Sequence, residues 1–304
     1  MPGRERKPVR SRLKSTIAVR QAWKWGAFLL LSTTFLVAAE PKRLEKTIET
    51  IQRPRVSIAN LSGQVVVKGW EKNQVHVMCN LPSNRVEVDT EVLPAAGQAE
   101  KIHFTTHVLD PLATGAEEMA DYTLEVPAGA NVEIRNPQGS VRLEGLHSDT
   151  SVESVGGRIV ATDVSGHLAL QTMGGDIEAI RPSGRVEAYS ITGNLHFVSP
   201  ATAKLRGSTT SGRIVYEGDF VSGGDYTLSA YSGDMDIVCP ASSSFELNAK
   251  TVHGKVDNRL PLTSRRHAPS PLSPGNSLLG TRNTGNATVE LRSFSGTIHI
   301  RPQL

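Results

Sequence analysis

Residues 139–197 read GSVRLEGLHSDTSVESVGGRIVATDVSGHLALQTMGGDIEAIRPSGRVEAYSITGNLHF, and the spacing within them decides the fold. Glycines stand at 139, 157, 166, 175, 184 and 193, a nine-residue lattice whose one other slot is held by Ser148. Two residues after each slot comes an apolar or Thr side chain: Val141, Thr150, Ile159, Leu168, Ile177, Val186, Leu195. Four after comes another: Leu143, Val152, Ala161, Leu170, Ala179, Ala188, Phe197. Seven after comes a third: Leu146, Val155, Val164, Met173, Pro182, Ile191, Pro200.

Apolar groups at +2 and +4 have the period of a β-strand, with one face in and one face out. Five residues of strand and four of turn make the nine. Glycine takes φ > 0 without steric cost and so suits a sharp corner. The residue before it is often small or hydroxylated, as in Ser165-Gly166, Ser183-Gly184 and Thr192-Gly193, and such a hydroxyl can tighten the corner. One nonapeptide cannot bury its inner face alone, whereas stacked copies can. The reading is all-β: a parallel β-solenoid, or β-helix-like fold, with about 18–21 residues per coil and two facing strand ladders. It requires Ile159, Ile177 and Leu195 to be neighbours on consecutive rungs. A calcium-binding β-roll shares the nine-residue clock but needs an Asp at a fixed slot, which these repeats lack. A flat antiparallel meander alternates too, but needs no such clock.

Working outward, residues 1–24 carry eight Lys or Arg against Glu5 alone, a net +7. The apolar run Trp25–Ala39 follows and ends Val37-Ala38-Ala39. Basic, apolar, then small residues is the pattern of a signal peptide cut after Ala39, with an uncleaved N-terminal anchor as the alternative. The whole chain is +3, so removing +7 leaves −4 for residues 40–304. The basicity belongs to the leader, and a nucleic-acid partner is not expected. Membrane contact is expected only through residues 1–39, if uncleaved. Cys79 and Cys239 read as buried free thiols.

Residues 40–135 alternate less strictly and are expected to form an N-terminal β cap and first coils. Residues 136–304 are the solenoid proper. Past Phe197 the corners Ser211-Gly212, Ser232-Gly233 and His253-Gly254 stand 21 apart, so the coil should widen. Residues 262–287, rich in Pro, Ser, Asn and Gly, read as a disordered loop. The segments 287–291 and 296–300 then supply the final strands.

The repeated Ser/Thr-Gly-x-hydrophobic-x-hydrophobic unit resembles a bacterial family of unknown function labelled putative adhesins. The Tyr122–Ala130 entry, the run from Cys239 to Gly254 and the ending Glu290-Leu291-Arg292-Ser293-Phe294-Ser295-Gly296 are similar to that family as well. The resemblance covers roughly residues 55–302 and implies an exported or envelope-facing β-solenoid. It carries over no catalytic or binding residue.

No Gly-x-Ser-x-Gly elbow, His-Glu-x-x-His motif or phosphate-binding loop occurs. The acidic cluster Asp219, Asp225, Asp234 and Asp236 is the one candidate for paired carboxylates, although Asp234 and Asp236 hold outward strand positions expected to be solvated. Arg158 and Asp176 should stack on one ladder. His147, His167, His196, His253 and His299 have no metal-ligand spacing. The expectation is a protein without catalytic, cofactor or metal residues, exported to the periplasm, cell envelope or cell surface. It would present an extended face to an envelope polysaccharide or protein. The rivals are a carbohydrate-active β-helix enzyme using Asp219–Asp236 and a self-assembling structural protein.

Overall fold

The computed structural model describes residues 42–112, 114–264 and 275–303. The segment read as a leader, 1–39, and the middle of the 262–287 loop lie outside the described residues.

Two ladders form. In spatial order the first contains the N-terminal half of Lys42–Ala59, then Gln74–Leu81, Asp121–Pro127, Val65–Trp70, Val141–Glu144, Ile159–Thr162, Ile177–Ile180, Leu195–Val198, Ile214–Glu217, Met235–Cys239, Ile298–Pro302 and Val256–Asn258. The second contains Val86–Leu93, Ala99–Val108, the C-terminal half of Lys42–Ala59, Asn131–Asn136, Thr150–Ser154, His167–Thr172, Ser183–Ser190, Ala201–Thr209, Asp225–Ala230, Thr288–Ser293, Phe245–Thr251, Ser277–Arg282 and Thr263–Ser264. Ile159 aligns with Ile177, and Ile177 with Leu195, so the rungs follow the 18-residue spacing read from the lattice. All three are buried, facing Leu168, Leu170, Val186 and Ala188 across the core. Phe197 fits because Gly207 of the opposite ladder has no side chain: a Cβ there would lie 3.0 Å from the Phe197 ring.

The corner glycines behave differently from the expectation. Gly139, Gly166 and Gly184 have positive φ, but Gly157, Gly175 and Gly193 do not. These three are required by close approach instead. A Cβ on Gly157 would sit 1.5 Å from the carbonyl oxygen of Gly139; on Gly175, 1.9 Å from that of Gly157; on Gly193, 1.8 Å from that of Gly175. The column runs on through Gly212, Gly233, Gly296 and Gly254, and begins at Gly63 under Gly139. The hydroxyl that tightens this corner is not the neighbouring one. It lies three residues upstream: the Gly175, Gly193 and Gly212 N–H groups donate to Thr172 Oγ1, Ser190 Oγ and Thr209 Oγ1 at 3.1, 2.8 and 3.1 Å. Thr209 Oγ1 in turn donates to the Gly193 carbonyl at 3.1 Å, so the buried hydroxyls tie rung to rung. The apolar group at +7 also alternates. Leu146, Val164, Pro182 and Pro200 are buried at the opposite corner, while Val155 and Met173 are exposed at the glycine corner.

Chain order and rung order part at both ends. Residues 55–59 lie between Ala99–Val108 and Asn131–Asn136, and Val65–Trp70 lies between Asp121–Pro127 and Val141–Glu144. The last strands, Thr288–Ser293 and Ile298–Pro302, are likewise inserted between the strands before and after Pro240–Ser244. Gly254 is therefore not one rung beyond Gly233, as its 21-residue spacing suggested, because Gly296 lies between them. The first and last rungs of the chain are each clamped on both faces. Antiparallel strands cover the ends: Val86–Leu93 at one, Ser277–Arg282 and Thr263–Ser264 at the other. The 262–287 segment is thus partly strand, because Leu278, Leu279 and Gly280 continue the ladder beside Phe245–Thr251.

The expected widening is real and is filled by rings. Residues 218–224 bulge, and Phe220 folds in to stack on Tyr216 (4.9 Å, 4°) and meet Tyr226 and Phe245 (both 4.9 Å). Cys79 and Cys239 are free and buried; burial pushes their thiols up to about 12 and about 11.

Two neighbouring glycines test the column. Gly157→Ala should destabilise by about 2 kcal/mol or more, the scale of overpacking a tight site. Gly156→Ala, with nothing within 4 Å and no positive φ, should leave the melting temperature level or slightly raised. Thermal unfolding of the pair is the check, and equal melting would contradict the column.

Candidate binding surface

Outward residues of the second ladder stand in rows set by its register. Ser151, Ala169, Glu187, Arg206 and Thr227 form one row, and Glu153, Gln171, Tyr189, Ser208 and Ser229 the next. Small side chains at 151, 169, 208 and 229 let the backbone come near the surface, leaving a trough of about 390 Å³ walled by Gln171, Glu187, Tyr189 and Arg206. A second concavity of about 350 Å³ continues it toward Arg55 and His167, sharing Ser151 and Ala169. Both volumes are in the range of small-ligand clefts, but the floor is long, shallow and built on rigid strand.

The trough is lined by charges of both signs. Glu187 accepts from Arg185 and lies 3.6 Å from His167 Nε2. The Arg185 hydrogen bond is the main reason its carboxyl sits below the usual glutamate range, with the Arg185 and His167 charges adding to it. Arg135 reaches Glu133 at 3.2 Å and Glu153 at 3.4 Å. Gln171, Tyr189 and Arg206, all exposed, make no side-chain hydrogen bond, ion pair or ring contact with the described residues. Polar ends without a protein partner, beside an exposed ring, are free to meet a ligand.

The acidic cluster does not converge. Asp225 opens a strand of the second ladder, whereas Asp234 and Asp236 belong to the first, whose outer face points the other way. Asp219 sits in the bulge, accepting from Ser243 Oγ at 2.6 Å and the Phe220 N–H at 2.8 Å. Asp236 is buried rather than solvated, held by Arg213 at 3.4 Å and Arg301 at 3.1 Å. Residues close in sequence separate here because consecutive strands alternate between ladders.

Arg158 and Asp176 are adjacent, as the register requires, but Arg158 bonds Glu178 at 2.5 Å and Asp176 accepts from the Asn194 backbone and side chain at 2.8 and 3.0 Å. The five histidines are dispersed: His147 bonds Ser165, His167 lies near Glu187, His196 lies between Glu178 and Glu217, His253 packs on Phe294 and His299 meets Asp257. Among the described residues no three His, Cys, Asp or Glu side chains converge as a metal site would need.

No protein-family model matches this sequence. No curated protein matches it either. Among solved structures it is similar to a putative cell adhesion protein from Clostridium sporogenes ATCC 15579, with 10% identity over 87% of this chain and 100% of that one and a TM-score of 0.29. It is similar also to a putative adhesin from Bacteroides fragilis NCTC 9343 (10% identity, 86% and 97% covered, TM-score 0.42). A third is a putative adhesin from Parabacteroides merdae ATCC 43184 (8% identity, 86% and 97% covered, TM-score 0.38). The label is the one the Ser/Thr-Gly repeats resemble, and likeness at this level says nothing of what this chain binds.

The Glu187 environment is open to titration. A carboxyl held below its unfolded value of 4.5 contributes stability above that pH and loses it as pH falls through the lowered value. Arg185→Gln removes the principal cause, so the Glu187 midpoint should rise toward 4.5, read from its side-chain carboxyl carbon by NMR. An unmoved midpoint would mean that another group holds it down.

Proposed function

We propose that this chain is an exported, non-catalytic binding module of the cell envelope that lays an extended polysaccharide along the trough of the second ladder. The observation that carries this reading is the group Gln171, Tyr189 and Arg206 on two adjacent rows: an exposed ring near polar groups that no described residue engages through its side chain. A ring offers a flat apolar surface with a polar tip, and the amide and guanidinium offer several donors. The continuous floor from Arg55 to Ser229 suits a long partner better than a small one. Export is supported by the basic and apolar pattern of residues 1–39. A non-catalytic role is supported by the separation of Asp219, Asp225, Asp234 and Asp236, two of which are held by Ser243 and by arginines.

Affinity electrophoresis through gels cast with soluble cell-wall and capsular polysaccharides tests the reading. At least one should retard the protein, and Tyr189→Ala combined with Gln171→Ala should weaken binding by about tenfold or more, as loss of a central anchor does. Retardation by none, or retardation unchanged in the double variant, would overturn it.

A further inference from the structure

The glycine corner, beside the trough, carries an exposed feature of its own. Two residues before each stacked glycine, one side chain per rung projects outward, and Leu61, Val155, Met173, Tyr231, Phe294 and Val252 account for six of the eleven exposed large hydrophobic residues. The positions one and two before the nine glycines contain no Lys, Arg, Asp or Glu, in a chain that is 21% charged. An uncharged, apolar strip running the length of a rod is not ordinary surface. It is also held in place. Thr192 and Ser211 N–H groups donate across rungs to the Met173 and Ile191 carbonyls at 2.9 Å each. The Tyr231 and Phe294 rings stack at 4.7 Å and 3°. Side chains already ordered lose little freedom on contact.

We propose that this ridge is the interface with a second copy of the chain, packed side by side and antiparallel about a two-fold axis at the Ile191–Asn194 rung. Three observations select that occupant. Rungs recur every ~4.8 Å, so a partner contacting all nine must share the period, and a second copy does. The nine rungs centre on Ile191: four lie before it (Leu61 to Met173) and four after (Thr210 to Val252). The column just past the glycines is complementary when reversed about Asn194. Arg158 of one copy meets Asp234 of the other, Asp176 meets Arg213, and Asn194 meets Asn194. Arg158, Arg213 and Asp234 are each more than two-fifths exposed, so their intrachain partners leave room for these contacts. On the far flank Arg135 faces Arg292, each already neutralised by its own glutamates, Glu133 and Glu153 or Glu290. The same row sets Tyr189 against Tyr189 and Gln171 against Ser208, so the dimer covers that wall of the trough and competes with a ligand there. A strip ~40 Å long and ~15–20 Å wide offers on the order of 600–800 Å² per copy, the size of a specific interface. The symmetry is that of the commonest oligomers.

Cysteine cross-linking of the protein, purified as its host processes it, reads the geometry. Cys79 and Cys239 are buried and should not interfere. Ile191→Cys should give disulfide-linked dimers under mild oxidation, because that residue meets itself. Met173→Cys alone should not, whereas Met173→Cys combined with Thr210→Cys should. In sedimentation velocity the wild type should be dimeric, Asp176→Arg should shift it to monomer, and adding Arg213→Asp should restore the dimer. The melting temperature of each variant separates lost association from lost folding. A strictly monomeric wild type would overturn the proposal, as would self-linking at Met173→Cys, which marks a parallel arrangement.

Discussion

Backbone meets backbone along one edge of this rod, with nothing between. From Gly139 through Gly254 each glycine lies against the carbonyl oxygen of the glycine on the rung before, beginning with that of Gly63, so close that no side chain fits. That contact makes the corner turn at the same place on every rung. Because the corners coincide, the strands leaving them are in register, and because the strands are in register, Val141, Ile159, Ile177 and Leu195 form one dry column. The buried hydroxyls of Thr172, Ser190 and Thr209 complete the arrangement by satisfying the glycine N–H groups where water cannot reach.

What varies is placed where the column permits it. Size changes in the core are matched across the ladders, as Phe197 is by Gly207. Extra residues appear at the corner opposite the glycines, where 218–224 bulge and Phe220 turns the surplus length into packed rings. Outward positions are free of both duties, and there the second ladder carries its trough of small residues bordered by Gln171, Tyr189 and Arg206. Rigid strands beneath those side chains hold them at fixed spacing.

The ends follow a different logic. A solenoid built strictly in chain order would leave its terminal strands as frayed outer rungs. Here the opening strand crosses from one ladder to the other and is covered by the strands around residues 74–108, while 288–302 slide inside the rung that precedes them in sequence. The C-terminal strand of the described fold is held by neighbours on two sides, the N-terminal strand begins as an antiparallel edge and is enclosed only from Arg55, and the exposed edges are short or antiparallel.

Much of this was written locally. The nine-residue spacing from Gly139 to Phe197 determined strands, rung length, inward residues and parallel stacking, because each depends only on a side chain's position relative to its own corner. The widened coils past Phe197 were legible for the same reason, and the buried thiols because free cysteine is among the most buried residue types. Three things were not. Gly157 and Gly175 need glycine because of a carbonyl 18 residues away, not because of their own φ. The rung order at the ends depends on which strand reaches a free edge, and the 21-residue step to Gly254 gave no sign that Gly296 would come between. The trough depends on residues 18 to 21 apart lying side by side, so Ser151, Ala169, Gln171, Tyr189 and Arg206 look like unrelated surface positions until the rungs are stacked. Sequence determines what repeats along a coil, and only tertiary contact decides what meets across coils, because that contact joins groups with no fixed separation along the chain.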